Sequence, residues 1–498
     1  MNYYIGIDIG TYETKGVLVS KKGEIIATHK KPHQLIIPQP GWAEHDAKQV
    51  WWESVKAIIH FFMTYCQQHH IEKDQVTCIG LSSIAPSIVP VDSKGEPLRN
   101  AILYGIDTRT TAQIDSLNAA FGEEELLANS KQALTTQAGG PKILWIKENE
   151  PHIYEKTEVF LSGTGFAVYQ LTNRKVIDHY TAASFAPLYD FKQQQWSKKY
   201  VNAITEVDKL PNIFWTTDIV GTVTRETAAE LGLSESTQVI TGTTDALSEA
   251  ISSGVVRQND LMLMFGSSTF FILNTNELVQ SDKMWPNLHA VQNMYSMTGG
   301  TATAGSLTRW FIDQFEDNKL PTDERYERLA RQGKLSPVGA NGVYCLPYFS
   351  GERTPINNPK AKGMFFGLSL KTTKLDLYRA MLEGIGFSIR QNIEYMNSLG
   401  FTIERIISIG GGTKNKLLLQ IVSDICGIQQ VLTKNTIGAS YGNAYLCGLA
   451  LGDYENLQGI EQWLEIDTVI EPSKEANELY GKKYSEFCEL YLSTKHLM

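Results

Sequence analysis

The sequence predicts an α/β protein made of two domains of one plan, and three observations lead there. Residues 4–19 alternate apolar with small or polar side chains in the two-residue period of a strand, break at Gly10-Thr-Tyr-Glu-Thr14, and return in a second strand. The same strand, small-residue turn and strand recur at 261–273, around Gly266-Ser-Ser-Thr269. Apolar runs of strand length and segments of helical period share the rest of the chain, and 498 residues suffice for two domains of ordinary size.

In the first unit Ile5, Ile7 and Ile9 face one way and Gly6, Asp8 and Gly10 the other, so one carboxylate stands between two residues without side chains. Such a turn offers backbone N–H groups and threonine hydroxyls to an anion, and the nearby acid can hold a divalent cation directly or through water. Taken alone, it is equally a surface hairpin with an incidental Asp. Lys21-Lys-Gly-Glu24 turns into a third strand over 25–28, completing an antiparallel meander. Residues 38–46 form a loop carrying Trp42 and Glu44, and a helix begins at about Ala47 with Val50, Trp51, Val55, Ile58 and Ile59 as its apolar stripe. Residues 76–82 read as a strand ending at Ser82-Ser-Ile-Ala-Pro-Ser87, and 102–107 leads to Asp107-Thr-Arg109 at a helix start. Helices and short strands are expected over 142–196. Gln238-Val-Ile-Thr-Gly242 is a strand and 246–252 a helix, with Asp245 at its N-cap.

In the second half, Gly299-Gly-Thr-Ala-Thr-Ala-Gly305 enters a helix with Leu307, Trp310, Phe311 and Phe315 expected on one side. Residues 344–367 read as a long loop, followed by a long helix with Met381, Ile385, Ile389, Ile393 and Met396 inward. A strand over 406–409 runs into Gly410-Gly-Gly-Thr-Lys-Asn415 and then a helix carrying Leu418, Ile421, Val422 and Ile425. Gly438, Ala439, Gly442 and Gly448 give a further helix a small-residue surface for close packing. The chain closes with a helix from about 472 and a frayed tail.

A formal charge of −9 and the lack of any Lys/Arg run exclude a nucleic-acid footprint. Cys66, Cys78, Cys345, Cys426, Cys447 and Cys488 are scattered without a C-x-x-C pair, as buried reduced thiols would be. No signal peptide precedes the first strand, and no apolar run approaches the ~20 residues of a membrane span. A soluble cytoplasmic protein with neither nucleic-acid nor membrane partner is therefore expected. None of the ten His residues has metal or triad spacing, no P-loop signature occurs, and Asn415 stands where Gly-x-Gly-x-x-Gly needs its last glycine.

The Asp8 turn, its repeat at Gly266, the Asp245 cap and Gly410-Gly-Gly412, in that order and spacing, resemble the FGGY carbohydrate kinases of the actin-like, ribonuclease-H-fold ATPase group. Gly41-Trp-Ala-Glu44, Leu346-Pro-Tyr-Phe-Ser-Gly-Glu-Arg-Thr-Pro355, Gly363-Met-Phe-Phe-Gly-Leu368 and Leu382-Glu-Gly384 are similar to that family too, so the likeness spans nearly the whole chain. The resemblance implies two ribonuclease H-like domains, 1–253 and 254–498, with an active-site cleft between them, and ATP and Mg²⁺ as cofactors. Position by position, it places Gly10, Thr11, Thr14 and Lys15 in a first phosphate loop and Asp8 near Mg²⁺. Gly266, Ser267 and Ser268 match the second loop, where the family more often has Gly-Thr-Ser. Gly305 and Arg309 match nucleotide contacts, Gly411, Gly412 and Asn415 the adenosine segment, and Asp245 the catalytic base. Trp42, Glu44, Ser83, Ala85, Pro86, Asp107 and Asp245 are the candidates for the sugar site. Trp42 and Glu44 suit a loop anchor equally well, Lys15 a solvated strand position, and Glu352-Arg353 an internal ion pair.

Phosphoryl transfer needs neutralised charge, in-line alignment and removal of the acceptor proton. A carboxylate at a helix N-terminus is held as the anion and is a weak base, so Asp245 is expected to matter more for orienting the hydroxyl than for basicity. The sugar is less plainly written. Xylulose kinases usually carry Gly-Gln-Met-His-Gly where Ser83-Ile-Ala-Pro-Ser87 stands, and Trp-Asn-Asp-x-Arg where Tyr104-Gly-Ile-Asp-Thr-Arg109 is one residue longer. The serines at 82, 83 and 87 are closer to gluconate kinases, whereas Ser350-Gly-Glu-Arg-Thr-Pro355 and Asn357-Asn-Pro359 lean towards xylulose kinases. A carboxylate substrate calls for a cation in the pocket, and Arg109 is the candidate unless Asp107 neutralises it. The expected substrate is a pentulose, D-xylulose first, with D-gluconate second. A non-catalytic sugar sensor and a chaperone or filament ATPase are rival readings, and a homodimer stands only as the commonest assembly.

Overall fold

In the computed structural model, which describes residues 2–316, 319–434 and 437–498, the alternating first unit forms strands β1 (Tyr3–Ile9) and β2 (Glu13–Ser20). They pair antiparallel with Asp8 opposite Lys15, and β3 (Ile25–Pro32) completes the meander. Helix α1 (Glu53–Gln68) buries Val55, Ile58, Ile59 and Phe62 against it; Gly16 of β2 leaves room for Ile58 and Phe62. Strand β4 (Val76–Ser83) lies parallel to β1, setting Ser82 beside Asp8. Strands β5 (Ile219–Thr222) and β6 (Gln238–Ile240) extend the sheet to the order β5-β6-β4-β1-β2-β3, and Thr243–Thr244 pairs with the end of β4.

Helix α2 (Asp245–Ser252) leads out of this sheet, and the second repeats its plan. Strands β7 (Asp260–Phe265), β8 (Thr269–Thr275), β9 (Trp285–Leu288) and β10 (Tyr295–Gly299) are mutually antiparallel where they pair. Helix α3 (Gly305–Phe315) follows, then helix α4 (Lys374–Ser398) and strand β11 (Arg405–Ile409), parallel to β7. Helix α5 (Lys416–Cys426), strand β12 (Gln430–Thr433), helix α6 (Ala439–Ala450), strand β13 (Ile466–Ile470) and helix α7 (Lys474–Thr494) complete the chain. The second sheet runs β9-β10-β8-β7-β11-β12-β13. In both sheets an antiparallel run that begins with a hairpin is followed by two strands parallel to its first, the actin-like plan expected from the sequence.

The α4 stripe at Met381, Ile385, Ile389, Ile393 and Met396 is buried as its spacing requires. Two expectations are corrected. Helix α3 faces inward with Leu307, Thr308, Phe311 and Ile312, while Trp310 falls off that face, Phe315 ends the helix, and both are over a third exposed. The expected loop over 344–367 is closed by Tyr344–Leu346 pairing antiparallel with Met364–Phe366. All six cysteines are free, and four of them are buried. Among the described residues, no helix is long and apolar enough to cross a membrane.

Helix α6 comes from the second half of the chain but packs on the first sheet. A Cβ on Gly6 would overlap the Ser440 carbonyl, one on Gly80 would come 2.5 Å from the Asn443 carbonyl oxygen, and one on Gly442 would strike the Ser248 carbonyl of α2. Small residues on both surfaces are what allow this approach. Tyr4, Val17, Cys78, Leu247, Ile251, Tyr441, Tyr445 and Trp463 fill the resulting shared core.

Candidate active site

The ends of β1, β7 and β11 carry the glycine turns. In the first, the Gly10 N–H donates to the Glu13 carbonyl (3.0 Å), and the Thr11 hydroxyl lies 3.1 Å from that of Tyr104. In the second, the Gly266 N–H donates to Ser268 O (2.9 Å), and Ser267 O accepts from the Ala304 and Ser306 N–H groups, so the start of α3 is tied to the turn. Gly305 is required there, since a Cβ would lie 2.5 Å from Gly266 O. In the third, Gly410 has φ +90°, a Cβ on Gly412 would come 2.6 Å from that of Phe265, and Gly411 faces open space. Asn415 caps α5, accepting from Leu418 N–H (3.2 Å) and donating to the Tyr378 hydroxyl (3.0 Å).

Three carboxylates gather between the sheets. Asp8 accepts a 2.8 Å hydrogen bond from the Ser82 hydroxyl on Oδ1; loss of water pushes its pKa up to about 6, against that bond and the Lys15 charge. Asp245 is not the N-cap: the Thr244 hydroxyl caps α2, accepting from Leu247 N–H, and Asp245 is the first helical residue, accepting from Ala246 N–H (2.8 Å). The expectation of a weakly basic, helix-stabilised anion is overturned. Burial first, then the neighbouring Asp8 charge, hold the Asp245 carboxyl well above the usual carboxylate range, outweighing the helix N-terminus. Glu249, one turn along α2, is pushed up to about 7 by burial and by Asp8.

Beside Asp245 opens a cleft lined from the first half of the chain by Ala85, Pro86, Gln132, Thr135, Gln137, Tyr180, Ser184 and Thr244, and from the second by Phe270, Trp285, Asn287 and Thr298. Of the sequence-derived sugar candidates, Ala85, Pro86 and Asp245 line it. Ser83 is buried with its hydroxyl 2.9 Å from that of Thr164. Trp42, Glu44 and Asp107 instead build a closed network around Arg109. This guanidinium has no exposed side-chain surface, donates to Asp107 (2.7–3.1 Å) and Glu44 (2.8 Å), and stacks 3.9 Å over Trp42. Arg99 and Asn100 donate to the same Glu44, and Ala43 N–H to Asp107. Both carboxylates are paired, and the guanidinium is paired through Nε and Nη2, while its buried Nη1 has no hydrogen-bond partner among the described residues.

Thr14 is fully buried, and its hydroxyl has no hydrogen-bond partner among the described residues. Lys15 pairs with Glu13 (3.1 Å) and Arg309 with Asp313 (2.8 Å), both on open surface. Glu352 and Arg353 do not form the expected ion pair: Glu352 accepts from the Ala302 and Arg353 N–H groups and the Ser388 hydroxyl, and the Arg353 guanidinium lies over Trp285. Glu249 was within reach of sequence reasoning, being four residues from Asp245 on one helix. Gln137, Trp285 and Asn287 carried no signal, because only the fold brings them to Asp245.

Two actin-like halves with glycine turns at their strand ends, and a cleft lined from both that holds Asp245, are the build of a phosphotransferase. The models of the FGGY family of carbohydrate kinases match residues 3–252 with the N-terminal domain and 261–451 with the C-terminal domain. The chain belongs to this family and is a sugar phosphotransferase. It is 31% identical over 496 residues to a xylulose kinase of Staphylococcus epidermidis, covering 99% of this chain and 97% of that one. Its structure is similar to that of xylulose kinase from Rhodospirillum rubrum, with a TM-score of 0.93, 26% identity, and coverage of 100% and 99%. Gluconate kinase from Lactobacillus acidophilus shares the fold, with a TM-score of 0.90, 23% identity, and coverage of 99% and 98%.

Proposed function

We propose that the chain is an ATP-dependent sugar kinase whose substrate is a neutral ketose, D-xylulose, in preference to the anionic D-gluconate. The observation that carries this reading is the cleft's charge: among its lining residues Asp245 is the sole ionisable acid or base other than tyrosine, and its polar side chains are otherwise hydroxyls, amides and the Trp285 indole. Such a lining suits a polyol. A carboxylate would be desolvated there beside another acid, and Arg109, the cation a gluconate would need, is paired with Asp107 and Glu44 and is not among the residues that line the cleft.

In this reading Gly10 and Thr11 on one side and Gly266, Ser267 and Ser268 on the other hold the phosphates of ATP, with Gly411 and Gly412 beside the adenosine. Asp8 suits a hard cation, offering carboxylate oxygen, with Oδ1 held by Ser82 and Oδ2 without a hydrogen-bond donor among the described residues. Mg²⁺ bound there supplies charge neutralisation at the phosphate oxygens. Asp245 accepts the proton of the sugar hydroxyl, and its raised proton affinity suits it to that role. Domains 1–253 and 254–498, a cytoplasmic location and a homodimer belong to the same reading.

A coupled ADP-release assay over a panel of sugars tests the proposal. Turnover highest with D-xylulose is expected. Preference for D-gluconate would overturn the substrate, and no sugar-stimulated turnover would favour a sensor.

A further inference from the structure

We infer that Asn443, on a helix from the opposite half of the chain, is a positioning residue that orients Asp8 through the Ser82 hydroxyl. This rests on the reading of Asp8 as the residue that faces Mg²⁺. Asn443 has no exposed surface, and its amide is fully used: Nδ2 donates to Ile7 O (2.8 Å) and Ser82 Oγ (2.7 Å), and Oδ1 accepts from Ser248 Oγ (2.6 Å). The Ile7 carbonyl can only accept, so the amide nitrogen must face that side. Ser82 is therefore the acceptor towards Asn443, and its single proton goes to Asp8 Oδ1 at 2.8 Å.

The relay has one direction, from Ser248 through Asn443 and Ser82 to Asp8. It occupies one oxygen of Asp8 and leaves the other without a hydrogen-bond donor among the described residues. It also starts three residues after Asp245 on the same helix, so one buried amide ties both acids to α6. Groups that hydrogen-bond a metal-facing carboxylate set its orientation, and their loss typically weakens metal binding about 10–100-fold.

The test is titration calorimetry of ADP with the full-length chain, with and without Mg²⁺, which reads the metal through the factor by which it tightens ADP. Asn443→Asp keeps the shape but accepts where Asn443 donates, and so removes the relay's direction. Ser82→Ala breaks the next link, and Ser82→Thr preserves it. The expected result is about a 10-fold loss of the Mg²⁺-dependent tightening in Asn443→Asp and Ser82→Ala, retention in Ser82→Thr, and unchanged metal-free ADP affinity in all three. If Asn443→Asp does not fold, Ser82→Ala against Ser82→Thr reads the same link. Full tightening in Asn443→Asp, or in Ser82→Ala, together with loss in Asp8→Ala, overturns the relay alone. Full tightening in Asp8→Ala, or none in wild type, overturns the Mg²⁺ reading beneath it.

Discussion

Asp245 shows how burial can reverse a local rule. At the first position of a helix a carboxylate is favoured as the anion by a fraction of a kcal/mol to about 1 kcal/mol, yet the removal of water and the Asp8 charge push its proton affinity the other way. A group so placed takes a proton more readily than a free carboxylate does. Asp245→Asn, which keeps the shape, is expected to lower kcat about 10²–10⁴-fold while the fold and the affinity for ADP, measured by calorimetry, persist; near-wild-type kcat would remove Asp245 from the mechanism. The local structure at this scale was legible: Asp8 lies on its strand, the glycine turns follow their strands, and Asp245 opens its helix one position later than the cap expected of it. What could not be read was which polar residues are already satisfied. Asp107 is paired by its near neighbour Arg109, a pairing the sequence already offered, whereas the donors that Glu44 meets, Arg99, Asn100 and Arg109, stand more than fifty residues away.

At the scale of elements, the decisive contact is α6 on β1 and β4. The small residues of α6 were readable as a close-packing surface, but its partner was not, since a helix stripe does not name the sheet it meets. Gly6 alternates with Ile5 and Ile7 for this reason, its bare Cα admitting the Ser440 carbonyl. Gly6→Ala sets a Cβ against backbone atoms that no rotamer change can clear, with an overpacking cost of about 1–3 kcal/mol or more. The measurement is urea denaturation, with Gly411→Ala as a control because a Cβ there meets nothing within 4 Å. Equal midpoints for the two variants would contradict the packing described. The α4 stripe was read correctly because a long helix repeats its period many times. The α3 stripe was misread because three turns, one of them at the helix end, do not average out.

At the scale of the molecule, buried ionisable groups make stability depend on pH. Burial pushes Asp8 and Asp178 up to about 6 and Glu249 and Glu352 up to about 7, and raises Asp245 as well. The folded chain then holds protons that the unfolded chain has lost, so this contribution to stability falls as pH rises through the folded values. The buried imidazoles His45, His179 and His289, pushed down by burial, act oppositely below the unfolded histidine value of about 6.5. Above it they cease to contribute. Lys142, pushed down to about 7, then adds a rising slope that offsets part of the fall from Glu249, Glu352 and Asp245. Metal-free stability, followed by urea denaturation, is therefore expected to decline between about pH 6.5 and 8, and Glu249→Gln to flatten the decline. A rise over that interval, or the same slope in the variant, would contradict the balance.

Strand alternation, glycine turns and helix stripes depend on neighbours within a few residues, so the two-fold plan, the α/β class and the phosphotransferase chemistry were determined by the sequence itself. The tertiary structure decided which polar groups remain free. It tied Glu44 and Asp107 to Arg109, raised the proton affinity of Asp245, and brought Trp285 and Asn287 to the cleft. It also set Asn443 behind Asp8, 435 positions away in sequence. The physical reason is that solvation and hydrogen-bond satisfaction are settled by everything packed around a group, and most of that comes from distant parts of the chain.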